Sequence, residues 1–250
     1  MKKLLLLIAA ILIHFAAATA QSCLPEGITF RTQEQIDNFQ TNYPGCTEIE
    51  GDVTIQGNDI TNLNGLSVLA SIGGKFEIRS NSSLGSLVGL ESLISIGGNL
   101  FISDNSMITN LVGLDNLTTI GGYLWIRVNI SLSNLAGLES LTSIGDYLEI
   151  RSNNTLTSLA GMESLNSVGS SIIISENNSL TNLEGLDKLT TIEGYLWLKS
   201  NASLADLTSL ENVVHINGFL WIESNSALTS LAGLEGLTSI PGVVKIWGNN

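Results

Sequence analysis

Residues Gly113 to Ala136 read GLDNLTTIGGYLWIRVNISLSNLA, and the same frame returns along most of the chain. Gly65, Gly89, Gly113, Gly137, Gly161, Gly185 and Gly233 are spaced by multiples of 24 residues, with Ser209 filling the one remaining place. No insertion or deletion interrupts this frame from Gly65 onward. A fixed period of this length marks a solenoid, in which a unit buries its apolar side chains only by stacking on its neighbours.

Counting each unit from its glycine, positions 2, 5, 8, 12, 14, 20 and 23 are almost always aliphatic. In the unit quoted these are Leu114, Leu117, Ile120, Leu124, Ile126, Leu132 and Leu135. The spacing of two at positions 12 and 14 predicts a short strand with both side chains inward. The spacing of three elsewhere fits tight coil outside any strand. Gly-Gly pairs at 73–74, 97–98 and 121–122 are expected to supply the bend entering the strand. The fold class that follows is a β solenoid of 24-residue leucine-rich coils over residues 47–250.

Position 17 is asparagine in every unit, at 81, 105, 129, 153, 177, 201, 225 and 249. A polar residue so constant within one chain needs a backbone partner, and an internal amide ladder between coils is expected. Five of the six Asn-x-Ser/Thr sequons fall in this column and are poor glycosylation candidates, whereas Asn116 is the sixth and more exposed. The first coil departs from the frame, because Asn58 is followed by Ile60 at a step of two residues rather than three.

Residues 1–20 read as a secretory signal peptide. Lys2 and Lys3 open it, Leu4 to Ala18 is apolar apart from His14, and Ala18-Thr19-Ala20 suits cleavage before Gln21. No later segment is apolar enough for a membrane span. The only cysteines, Cys23 and Cys46, are expected to form a disulfide in an exported chain. Thr32 with Gln35 forms a capping box ahead of Ile36 and Phe39 on one helical face, and Tyr43-Pro44-Gly45 ends that helix. Residues 21–46 therefore read as an N-terminal cap. The sequence ends just after Asn249 with no matching cap. Either the chain is a fragment of a longer protein, the favoured expectation and one that would allow attachment to a cell surface through the missing C-terminal region, or something else covers that edge.

The pattern GL-x-x-L-x-x-I-GG-x-L-x-I-x-x-N-x-x-L-x-x-L, led by the Cys23 to Cys46 segment, resembles the receptor L-domain family, with ordinary leucine-rich repeats as its neighbour. The resemblance covers residues 23 to 250 and implies a single-stranded right-handed β-helix that recognises extracellular ligands. No cysteine-rich module or kinase follows, so receptor tyrosine kinase signalling is not implied. The lysine-led leader ending in Ala-Gln resembles bacterial ones, and the expected location is secreted or cell-surface.

With positions 12 and 14 inward, positions 11, 13 and 15 face out. Position 11 holds Tyr123, Tyr147, Tyr195 and Phe219; position 13 holds Phe101, Trp125, Trp197 and Trp221. Position 15 adds Trp247 and the cations Arg79, Arg127, Arg151 and Lys199. Every tryptophan thus lies on one face, in two clusters separated by the coil carrying Ser171, Ile173 and Ser175. Same-face rings stack whether or not anything binds. An exposed patch rich in Trp, Tyr and Arg nevertheless matches the composition of binding hot spots. The expected ligand is an extracellular protein or glycan, bound through Phe101, Tyr123, Trp125, Arg127, Tyr147, Arg151, Tyr195, Trp197, Phe219, Trp221 and Trp247. A structural or adhesive spacer is the alternative.

Other chemistry is poorly provided for. The formal charge is −13, and −15 once Lys2 and Lys3 leave with the leader, which disfavours nucleic acid. Position 3 carries Glu91, Asp115, Glu139, Glu163, Asp187, Glu211 and Glu235. These carboxylates are expected to cap the turn that follows them or to face water, with calcium the alternative ligand. The one histidine after the leader, His215, stands where other units have Ser or Thr, which leaves a nucleophile without its usual base. No enzyme, cofactor or metal site is expected.

Overall fold

The computed structural model describes residues 21–250, so the leader expected at 1–20 lies outside the described residues. The chain is a parallel β-solenoid of about nine coils. One sheet has ten strands, from Ile28–Phe30 and Val53–Ile55 through Phe76–Arg79, Leu100–Ser103, Leu124–Arg127, Leu148–Arg151, Ile172–Ser175, Leu196–Lys199 and Leu220–Glu223 to Val244–Trp247. Its register keeps each repeat column in line, with Leu124 between Leu100 and Leu148, and Trp125 between Phe101 and Glu149.

A second sheet, outside the single strand expected per coil, is made of two-residue strands such as Ser95–Ile96, Thr119–Ile120 and Ser143–Ile144. They sit at positions 7 and 8. Coils stacked in register bring these peptides close enough to pair, although a spacing of three apolar residues carries no strand signal.

Along each long strand, positions 12 and 14 are fully buried: Leu124 and Ile126, Leu148 and Ile150, Leu196 and Leu198. The remaining aliphatic columns join them in one continuous core running the length of the stack. Each such side chain contributes on the order of 2 kcal/mol relative to exposure. The last coil is different, since Val244, Ile246 and Trp247 are all exposed.

The asparagine column forms the ladder expected of it. Asn105 Oδ1 accepts the backbone N–H of Asn81 at 3.2 Å, and Asn129 Oδ1 accepts that of Asn105 at 3.1 Å. Each Nδ2 also donates to a carbonyl of the preceding coil, as Asn129 does to Ile102 at 2.9 Å. From Asn81 to Asn225 these side chains are fully buried, which closes those sequons to a glycosyltransferase, whereas Asn116 is exposed. In the shortened first coil Asn58 is exposed, and the backbone N–H of Gly57 takes its place on Asn81 at 2.8 Å.

The residue before each ladder asparagine is left-handed: Ser80, Asp104, Val128, Ser152, Glu176, Ser200 and Ser224 have φ between 53° and 59°. That conformation turns the chain sharply out of the strand and aims the next side chain inward. The Gly-Gly pairs act through close approach rather than a special bend. A Cβ on Gly121 would lie 2.2 Å from the Gly97 carbonyl oxygen of the coil beneath.

The N-terminal segment is built into the stack. Its Ser22–Cys23 strand pairs with Glu48–Ile49, and Thr29 pairs with Thr54, so the cap begins both sheets. The disulfide joins Cys23 and Cys46 with Cα atoms 5.7 Å apart. The expected helix is two short pieces, Gln33–Asp37 and Phe39–Asn42, that bury Ile36 and Phe39 over the end of the core. Thr32 accepts the Gln35 N–H, while the Gln35 side chain reaches back to the N–H of Arg31 at 2.6 Å.

Candidate functional site

The outward columns of the long sheet gather eight rings into two groups. In the first, Phe101 meets Trp125 edge-on at 5.0 Å, and Tyr123 stacks on Tyr147 at 4.7 Å and 15°. Tyr123 also contacts Phe101 and Trp125, each at 5.0 Å. In the second, Tyr195 stacks on Phe219 at 4.1 Å and 9°, and Trp197 meets Trp221 edge-on at 5.5 Å. Phe219 and Trp221 close this group at 4.3 Å. Parallel in-register pairing produces these contacts, because it sets a given column about 4.8 Å from itself in the next coil. Trp125, Trp197 and Trp221 are half-buried by their neighbours.

Charges are interleaved with the rings. The Arg127 guanidinium lies 4.7 Å from the Trp125 ring and pairs with Glu149 at 3.3 Å. Lys199 and Lys245 cover Trp197 and Trp221 at 5.2 and 4.5 Å. Glu223 Oε1 accepts the Trp197 indole N–H at 3.0 Å and faces Lys199 at 3.5 Å. Glu149 and Glu223 are both nearly buried, at 7% and 8% exposure. The indole N–H groups of Trp125 and Trp221 are buried and have no hydrogen-bond partner among the described residues.

Two hydroxyls feel this packing. Burial pushes the Tyr147 hydroxyl up to about 12, with Tyr123 and Glu149 adding to the effect. Burial raises Tyr123 as well, against the opposing charge of Lys75.

Two expected site residues stand apart. Arg151 turns away from the rings to Glu176, which it bonds at 2.8 and 3.3 Å. The Ser152 hydroxyl holds the Glu176 carboxyl below its ordinary range; burial opposes this and Arg151 assists it. Trp247, 57% exposed, pairs in register with Glu223 and has no ring beside it among the described residues. Glu149, Glu223 and Lys245 also belong to the face, and their signal in the sequence is their place in the same outward columns as the tryptophans.

The position-3 carboxylates bond backward, not to the turn that follows them. Asp115 accepts the N–H of Gly113 at 2.7 Å, and Glu91, Glu139, Glu163, Asp187 and Glu235 do the same for their own glycines. Each satisfies a donor exposed by a glycine with φ near 110°, as at Gly113 with φ 117°. The Ser209 unit replaces this turn by a 3-10 turn over Thr208–Leu210, and Glu211 ends it. His215 is exposed, with Nδ1 3.3 Å from the Thr238 hydroxyl. No helix among the described residues is long and apolar enough to cross a membrane. Comparison with family models, with curated proteins and with solved structures finds no match to this chain.

Proposed function

We propose that this chain is a non-catalytic extracellular recognition module that binds a protein or glycan through the aromatic face of its long sheet. The observation that carries the reading is the gathering of eight rings on one face, interleaved with cations. Core stability does not require this, because the aliphatic columns on the opposite side of the same strands already supply a closed interior. The disulfide suits an oxidising, extracellular setting. A right-handed winding of 24-residue coils, as in the receptor L-domains that the repeat resembles, completes the proposal. The parallel pairing supports it, since parallel crossovers are right-handed in nearly all proteins.

A spacer is the second reading, favoured by the ring-on-ring contacts that stabilise the face by themselves. Replacing Trp125, Trp197 and Trp221 together by alanine separates the two. A recognition module loses binding to cells or to arrayed glycans while remaining folded. Unchanged binding by the folded variant leaves only the spacer.

A further inference from the structure

The stack at position 11 has a vacancy. Tyr123 and Tyr147 lie on one side, Tyr195 and Phe219 on the other, and between them the register places Ser171. Tyr147 and Tyr195 are therefore two strand spacings apart, about 9–10 Å. One ring, held at the 4.7 and 4.1 Å separations seen within the flanking pairs, fills such a gap. A cavity of about 340 Å³ occupies this place, lined by the two tyrosines with Glu149, Ser170, Ser171 and Ile173.

The lining decides what kind of ring fits. Ser171 is 4% exposed; its Oγ accepts the Tyr195 N–H at 3.1 Å, and its own proton has no acceptor among the described residues. Glu149 is 7% exposed, and Oε1 faces Arg127 at 3.3 Å while Oε2 has no hydrogen bond among the described residues. The slot thus offers two aromatic walls with one free donor and one free acceptor at its edge. An aromatic side chain could stack there, but its apolar rim would strip water from Ser171 and Glu149 and return no hydrogen bond. A pyranose has the reverse arrangement, with C–H groups on its faces and hydroxyls around its rim. Its polarised C–H groups suit the negative faces of both tyrosines. A gluco-configured ring presents axial hydrogens on both faces, whereas a galacto-configured ring turns a hydroxyl towards one of them.

We propose that the gap between Tyr147 and Tyr195 is a subsite for one gluco-configured pyranose ring of an extracellular glycan, with Ser171 and Glu149 bonding its hydroxyls. This rests on the recognition reading above and narrows it to a ligand class and a place.

Cellotetraose and the matching β-1,4-linked galactotetraose, titrated into the whole chain by calorimetry, test it. The gluco-oligosaccharide is expected to bind at least tenfold more tightly. Ser171→Tyr fills the gap with a ring and should weaken cellotetraose at least tenfold in a chain that remains folded. Should that variant fail to fold, Tyr147→Ala and Tyr195→Ala are each expected to weaken binding tenfold. An unchanged Kd in the folded variants overturns the subsite, as does a lack of preference for the gluco ring. So does the absence of cellotetraose binding at concentrations on the order of 10 mM. Competition by an aromatic peptide, abolished in Ser171→Tyr, overturns the sugar in favour of a protein side chain. In each of these cases cell-surface binding that is lost with the three tryptophans leaves the wider reading standing, whereas cell-surface binding unchanged in that folded variant sinks both.

Discussion

Asn129 Oδ1 accepts the backbone N–H of Asn105 at 3.1 Å, while its Nδ2 donates to the Ile102 carbonyl at 2.9 Å, all inside a fully buried column. One side chain thus satisfies two peptide groups of the preceding coil. Asn129→Leu orphans both peptide groups in the core, at about 1–3 kcal/mol each. The expected loss is roughly 3–5 kcal/mol, or about 10 °C in melting temperature for a chain of this size, measured by calorimetry. Asn116, by contrast, tolerates substitution to within about 0.5 kcal/mol.

Val128 holds φ 56° with a β-branched side chain that is 42% exposed. Left-handed backbone costs such a residue about 1–2 kcal/mol. Asn tolerates that region without the entropy cost of glycine, so Val128→Asn is expected to raise stability by about 0.5–1 kcal/mol in chemical denaturation. A destabilised variant would contradict a strain cost at Val128.

The Cys23–Cys46 bridge closes a segment with a sequence separation of 23 residues. A loop of that size contributes about 3 kcal/mol by restricting the unfolded chain. Reduction, or replacement of both cysteines by serine, should lower the unfolding midpoint accordingly. Hydrogen exchange should then rise first around Ile36 and Phe39, which cover the end of the core.

The hydroxyl of Tyr147 moves from an ordinary 10.0 up to about 12. The fold therefore favours its neutral form. The associated stability is fully present below pH 10 and is lost as pH rises from 10 towards 12. Ultraviolet titration of tyrosinate should show its latest-ionising group disappear in Tyr147→Phe, and that variant should lose less stability between these two pH values.

Much of this molecule was legible in advance because its information is periodic. The inward columns, the asparagine ladder and the ring face each announce themselves by residue type at a constant offset. Features imposed by the backbone leave weaker traces. The left-handed column reads Ser, Asp, Val, Ser, Glu, Ser, Ser before Gly248, so only its final member carries the usual signal for positive φ. The Glu-to-glycine bonds run backward by two residues, and a carboxylate offers no clue to which side it will turn. The two-residue strands arise only from stacking. Arg151 left the ring face because Glu176, itself left-handed in the next coil, gave it a bidentate partner. On the face itself Glu149, Glu223 and Lys245 were overshadowed by the tryptophans beside them, though the same columns would have revealed them.

The most direct measurement is binding of the whole chain and of its folded Trp125→Ala, Trp197→Ala, Trp221→Ala variant to intact cells and to a glycan array. Ring contacts of this kind are worth about 0.5–1.5 kcal/mol each, so the variant should melt earlier yet remain folded. Binding reduced at least tenfold, with the circular dichroism spectrum preserved, is the result expected of a recognition face. Equal binding by the two proteins would contradict it.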